Sequence, residues 1–403
     1  MMGRVALLVD PPAWPAHGRL WSHLVSDTSV TELHLFAAGL GVPRQAFDRD
    51  HYDVPAEAYE AIVAAGASPV DSRELVRRLA TAGLRARRVQ TTGRRKPGQV
   101  LLRPPRLRAG SLVAVVSPAG PVLTERLERG LAVLRGWGLQ VRLGPHVLAR
   151  HRSLDHLAGG DAERAADVEA AWIDPDVAAV WCARGGYGSH RLVDRLDHTA
   201  MAAAAPRLLV GFSDVTALHE LVNGRLGLVS LHAPVVTSLG EAAPQAVDHV
   251  RRLLFEPAHA LELFAGMRLR SLVGGAAAGV LAGGNLRLLT SALGTRTSRP
   301  ARGAIVVLED IGEEPYRIDA MLTQLRRNGW FDGVRGIVAG SFGDVDATSL
   351  DHVLCDRLGD LGVPVVAGAP VGHIDDNRPV PLGVSAALDA DAGSLRLARP
   401  ALA

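Results

Sequence analysis

Cysteine is almost missing from this chain of 403 residues: Cys182 and Cys355 are the only 2, far apart and in no metal-binding spacing. That excludes a disulfide framework and a cysteine metal centre, and two isolated structural thiols suit a reducing compartment. Aromatic residues make up only 4%, a compositional bias that points to no particular ligand. Long hydrophobic runs are missing as well, since no stretch reaches the roughly 18 apolar residues of a membrane span. The opening MMGRVALLVDPPAW meets aspartate and proline too early for a secretory signal, so a cytoplasmic location and no membrane partner are expected. The formal net charge of +2 is too small to argue for a nucleic-acid partner.

What is present is ordinary for a globular protein: 48% hydrophobic and 21% charged residues, in a chain long enough for two or three cores. Composition divides it into a small N-terminal unit, residues 1–85, a basic linker at 86–102, and a larger body. In the body, SLVAVVSPAGP reads as a buried strand and turn. TERLERGLAVLRGWG places Leu127, Leu131 and Leu134 on one helical face. LQVRLG, DAERAADVEAAWI, VAAVWCA, SHRLVDRL and RLLVGF continue the alternation of strand and helix. The expected fold class is therefore α/β: a Rossmann-like parallel sheet over 103–250, a second α/β domain over 251–403, and a small additional N-terminal α/β domain.

RLLVGFSDVTALHE sets Ser213 where a strand hands over to a helix. A serine there is either an N-cap or a hydroxyl lifted into the open beside free amides and a helix dipole, as nucleophilic serines are. Glu309 and Asp310 end the strand AIVVL, and His373 follows VPVVAGAPVG. Serine, acid and histidine in that chain order, all at strand ends, match the needs of acyl transfer. A weak nucleophile requires a neutral imidazole, and the imidazole requires a carboxylate to fix its tautomer. The amide of Asp214 is placed to receive an oxyanion, and the loop RGGYGS offers a second donor. That loop lacks the glycine spacing of a dinucleotide site.

GFSDVTAL, ARGGYGSHRLV, GGNLRLL, VVLEDIGEEPYRIDAMLTQL, GIVAGSF and GAPVGHIDDNRPVPLG together resemble the LD-carboxypeptidase family of serine peptidases, which includes muramoyl-tetrapeptide carboxypeptidases and microcin C immunity proteins. The resemblance covers about residues 103–400. Motif by motif it implies Ser213 as nucleophile, Glu309 as acid and His373 as base, with Asp214 and Gly186 amides as oxyanion hole. It further implies a homodimer with no cofactor and no metal, and cleavage of an amide between an L-configured centre and a terminal D-amino acid. The usual case is D-alanine released from a murein tetrapeptide during cell-wall recycling. A self-immunity amidase acting on peptidyl-nucleotide antibiotics is an alternative. So is a catalytically silent ligand-binding protein in which Ser213 only caps. The acidic middle of IDDNRPVPLG bears on which substrate terminus is accepted.

The N-terminal unit resembles a short bacterial domain of unknown function. Asp10, His17, His23, Asp27, His34, Asp48 and His51 crowd it, with Trp14 and Trp21 among them. Either they form a metal or phosphate site or they cap helices and bind backbone. No spacing matches a known ligand pattern such as His-Glu-x-x-His.

Overall fold

The computed structural model describes residues 7–16, 18–43, 46–48, 50–82 and 100–403, and the chain divides into two units, 1–91 and 92–403. In the first unit β1 (Leu7–Val9), β2 (Trp14–Ala16) and β3 (Arg19–Ser26) lead to α1 (Val30–Gly39). The Ser29 hydroxyl accepts from the Glu32 amide and starts that helix. Next come β4 (Phe47–Asp48), β5 (His51–Pro55), α2 (Tyr59–Ala64), β6 (Ser68–Pro69) and α3 (Ser72–Thr81). The sheet runs β4-β5-β3-β1-β6 with β2 beside β3, and of the described pairs only β1 with β6 is parallel. Alternation decides the faces of β5: Tyr52 and Val54 enter a core with Leu24 and Leu33, while His51 and Asp53 turn to the other side.

The second unit opens with β7 (Leu112–Val116), α4 (Thr124–Gly136), β8 (Gln140–Leu143), α5 (Asp161–Ile173) and β9 (Val177–Cys182). Then follow α6 (His190–Val193), α7 (His198–Ala203), β10 (Leu208–Gly211), α8 (Thr216–Leu221), β11 (Ser230–His232), α9 (Val236–Leu239) and α10 (Pro244–Phe255). The remainder is β12 (Arg270–Val273), β13 (Ala276–Asn285), α11 (Leu286–Ser291), β14 (Ala304–Glu309), α12 (Pro315–Arg327), β15 (Gly336–Ala339), α13 (Ala347–Leu358), β16 (Val365–Ala367), β17 (Val380–Leu382), β18 (Ser385–Asp389) and β19 (Ser394–Leu397).

Two sheets result, ordered β17-β11-β10-β9-β7-β8 and β12-β16-β15-β14-β13-β18-β19. Strands β7 to β11 are parallel, as are β13 to β16, and antiparallel strands flank each set. The strand sequences require cover on both faces. Along β9, Ala179 and Trp181 enter one core and Val180 and Cys182 another. Along β14, Ile305 and Val307 join the first of these cores, while Val306 and Leu308 enter a third. One core is thus common to both sheets. Leu127, Leu131 and Leu134 of α4 are fully buried in it, each contributing roughly 2 kcal/mol through burial.

Two features differ from the sequence expectation. β17 lies beyond residue 251 yet pairs with β11 in the first sheet, so the two halves are stitched together rather than cut at 250. Pro381 is tolerated there because β17 is an edge strand. The linker expected over 86–102 also ends early. Residues 83–99 lie outside the described residues, but Leu101 is buried in the shared core and its amide donates to the Gly383 carbonyl. An apolar Val-Leu-Leu inside a basic run has more to gain by docking than by staying in water.

Candidate active site

Ser213 leaves β10 through Phe212 and enters a single 3-10 turn, Ser213–Val215, ahead of α8. Its φ of 63° makes it the one non-glycine residue with positive φ among the described residues. Such a conformation costs about 1–3 kcal/mol and persists only where the surroundings enforce it. The enforcement is visible. Buried His219 contacts the Gly211 carbonyl through Nε2 at 2.9 Å and the Ser230 hydroxyl through Nδ1 at 2.8 Å, tying β10, α8 and β11 together. Burial holds this imidazole down at about 3, so it stays neutral, donating from Nε2 and accepting at Nδ1. A capping serine would have its hydroxyl on a first-turn amide, whereas the Ser213 hydroxyl is paired with a histidine. Helix α8 continues without a break into a π-helical stretch, Val222–Leu226, that ends at Gly227, so Ser213 opens a helical segment reaching to residue 226.

The hydroxyl points elsewhere. Ser213 Oγ lies 3.0 Å from His373 Nε2, and His373 Nδ1 lies 2.8 Å from Glu309 Oε2. Three residues spread over 160 positions of sequence meet because Ser213 and Glu309 stand at the carboxyl ends of parallel strands, where α/β sheets bind ligands. Gly372 is required for the approach: it has φ 116°, and a Cβ there would stand 2.9 Å from both Cβ and Oε2 of Glu309. Its amide is held by the buried Asn377 side chain at 3.0 Å. Phe212 backs the imidazole, with ring centroids 4.8 Å apart.

Glu309 is fully buried. Burial pushes its carboxyl up, but His232 and His373 together outweigh that and hold it at about 2. Hydrogen bonding comes from His373 alone, since His232 Nε2 stands 3.8 Å from Glu309 Oε1 and acts through charge and dipole only. Neighbouring Asp310 turns away. It accepts from the Asn285 side chain, from the Arg287 amide at the start of α11 and from the amide of the following Ile311, and burial lifts it to about 6. The adjacent acids, alike in charge, are separated by which way the strand end points them.

The cleft in front of Ser213 and His373 measures about 420 Å³. Gly186, the expected oxyanion donor, lines it together with Arg184 and Gly185. Gly185 comes nearest: a Cβ on it would lie 3.1 Å from Ser213 Cβ. The Asp214 carboxylate, buried and thereby raised despite opposing hydrogen bonds, accepts from the Ser189 amide at 2.7 Å and fixes the loop against the serine turn. Of the acids in IDDNRPVPLG, Asp375 faces the cleft while Asp376 pairs with Arg378 at 3.3 Å. Sequence reasoning passed over Arg184, Gly185, Asn377 and His232; a lone histidine in SLHAPV carries no signature.

In the N-terminal unit the candidates scatter. Asp27 meets Arg78 at 3.4 Å, and His34 Nδ1 meets the Tyr52 hydroxyl at 2.8 Å, which are structural roles. His17 lies outside the described residues. Asp10, His23 and His51 come together, as described below.

A hydroxyl, an imidazole and a buried carboxylate in hydrogen-bonded sequence at the ends of parallel strands define the class of α/β serine hydrolases. Comparison with known proteins narrows it. Residues 113–233 match the LD-carboxypeptidase N-terminal domain, 278–388 the LD-carboxypeptidase C-terminal domain, and 7–82 a protein of unknown function (DUF4031). The Streptomyces coelicolor protein called "Putative carboxypeptidase SCO6489" is 53% identical over 305 residues, covering 75% of this chain and 98% of that protein. The murein tetrapeptide carboxypeptidase of Pseudomonas aeruginosa is 37% identical over 288 residues, covering 69% of this chain and 92% of that protein. A crystal structure of an MccF-like protein from Bacillus anthracis superposes with a TM-score of 0.68 at 22% identity, over 74% of this chain and 99% of that one, which speaks for the fold alone. The chain belongs to the LD-carboxypeptidase family and is a serine-type carboxypeptidase. Among the described residues no helix is long and apolar enough to cross a membrane.

Proposed function

We propose that this protein removes a terminal D-amino acid, D-alanine in the usual case, from a murein tetrapeptide by way of a Ser213 acyl-enzyme. The observation that carries the proposal is the unbroken relay from Ser213 Oγ through His373 to buried Glu309. Ser213 Oγ attacks the scissile carbonyl as its proton passes to His373 Nε2. Glu309 keeps the Nδ1 proton in place and stabilises the imidazolium. The amides of Asp214 and Gly186 receive the oxyanion, an interaction worth about a hundredfold or more per donor. Collapse of the tetrahedral adduct expels the amine of the terminal residue, which takes the proton back from His373 Nε2. Water then repeats the sequence on the ester and releases the shortened peptide.

An exopeptidase must also hold a free terminal carboxylate. Arg184 lines the cleft and spends Nη1 on the Pro121 carbonyl at 2.5 Å, with its other donors free to serve. Arg126 at the same cleft is paired with Glu241. We assign the substrate carboxylate to Arg184. The names of curated relatives 36–37% identical to this chain support murein peptide as substrate; a homodimer acting in the cytoplasm rests on the family resemblance.

The reading is tested by offering purified protein a murein tetrapeptide, its diastereomer ending in L-alanine, and its C-terminal amide. Release from the first alone is expected. Equal release from the L-ended peptide would refute the stereochemical assignment, and turnover of a peptidyl-nucleotide without any of the murein peptide would replace it by the immunity-type amidase. Sedimentation at working concentration checks the dimer.

A further inference from the structure

The N-terminal unit holds a constellation of histidine and carboxylate of its own. Strand register creates it. His23 on β3 lies directly across the ladder from Asp53 on β5, and His51 lies two residues before Asp53 on the same face. The ring centroids of His23 and His51 are 4.8 Å apart.

Each imidazole is anchored from behind. His23 Nδ1 lies 3.0 Å from Asp10 Oδ2, and His51 Nδ1 lies 2.8 Å from Asp50 Oδ1. Both carboxylates are buried, at 0% and 5% exposure. Asp10 is itself positioned: it accepts from the His23 amide at 2.5 Å, the Ser72 hydroxyl at 2.7 Å and Trp14 Nε1 at 3.3 Å. A carboxylate on Nδ1 fixes the tautomer in which Nε2 carries the lone pair. Both Nε2 atoms then face the same acceptor, Asp53 Oδ1, at 3.9 Å for His23 and 3.4 Å for His51. Three electron-pair donors therefore converge, with all the candidate atoms within 4.8 Å of one another. Converging lone pairs repel unless a cation stands among them.

The geometry points to a divalent metal site: we propose that His23 Nε2, His51 Nε2 and Asp53 bind a first-row transition ion of the zinc class, with Asp10 and Asp50 as positioning carboxylates. Zinc bonds of about 2.0–2.1 Å place tetrahedral ligands roughly 3.4 Å apart. The His51–Asp53 separation of 3.4 Å already fits, His23 stands at 3.9 Å from the same oxygen, and the three atoms, within 4.8 Å of one another, draw together as the ion binds. Histidine ligands whose second nitrogen is held by a carboxylate are the rule in such sites. Two imidazoles and one carboxylate leave a coordination position open, the pattern of a catalytic rather than a structural ion. His23 and His51 also line a cavity of about 320 Å³ walled by Trp14, Ser72, Leu75 and Val76, room for a small ligand beside such an ion.

The test is calorimetric titration of Zn²⁺ into untagged full-length protein stripped by a chelator, with Co²⁺ absorption reporting coordination. One saturable equivalent is expected, together with visible d–d bands. His51→Ala and Asp53→Asn should each weaken binding at least about 100-fold, and Asp10→Asn should weaken it by roughly 10–100-fold at unchanged stoichiometry. Matching melting temperatures of the stripped proteins separate loss of a ligand from loss of fold. Absence of a saturable site, binding that survives both ligand variants, or binding lost in His373→Ala instead would each overturn the proposal.

Discussion

Two histidines in this chain stand in the same posture for different ends. His373 and His23 each lay Nδ1 against a buried carboxylate, at 2.8 and 3.0 Å, and each turns Nε2 outward. Beyond Nε2 of His373 lies the Ser213 hydroxyl, a proton donor. Beyond Nε2 of His23 lie Asp53 and the ring of His51, an acceptor and a second imidazole. The carboxylate–histidine pair sets a tautomer and an orientation in both places. What the pair does is decided by the third group: a hydroxyl makes a proton relay, and a further electron-pair donor makes a cation site.

The comparison can be broken first at the carboxylates. Glu309→Gln leaves His373 with the wrong tautomer and an uncompensated imidazolium, and kcat should fall about 10³–10⁴-fold with little change in KM. Zn²⁺ binding should be untouched. Asp10→Asn is the mirror experiment: the metal affinity should fall while peptide turnover holds, read by titration and by a steady-state assay on the same preparation. If both variants damaged both activities, the two pairs would not be the separate devices described here. A smaller effect is expected at His232. It faces the unbonded Oε1 of Glu309 and supports the acid through the field alone, so His232→Ala should lower kcat by about tenfold, or ~1.4 kcal/mol, at constant KM.

A contrasting carboxyl, read in stability rather than in rate, sharpens the role of the imidazole. Glu220 is a buried carboxyl whose charge is supported by Arg299 rather than by a histidine, and burial, only partly offset by that arginine, lifts it to about 8, whereas Glu309 is held at about 2. A folded value above the ordinary 4.5 means that the native chain keeps a proton the unfolded chain has released. Stability therefore declines as pH rises from about 4.5 to about 8 and is level beyond. Glu220→Gln removes that decline, and its advantage over the natural chain should grow by about 1–3 kcal/mol across this window in denaturant unfolding.

Much of this is legible in the sequence. DAERAADVEAAWI announces α5 by period alone, and the helix spans those residues, Asp161–Ile173. The parallel sheets followed from strand and helix alternating. Ser213, Glu309 and His373 were assembled from chain order and motif, and the structure brings them within hydrogen-bond reach. The strain at Ser213 was not legible, because the contacts that enforce it run from His219 to Gly211 and to Ser230 on a separate strand. Nor was β17, three residues with a proline whose partner lies some 150 positions away. In the N-terminal unit Asp53 escaped notice altogether. Its meaning depends on the β3–β5 register, a long-range pairing that no local spacing encodes.

The central claim, that Ser213 is a nucleophile and not a cap, is tested most directly by the rate of D-alanine release from a murein tetrapeptide with wild type beside Ser213→Ala. Release by wild type and a loss of at least about 10⁴-fold in the variant, at an unchanged melting temperature, is the predicted result. Undiminished release by Ser213→Ala would contradict the account.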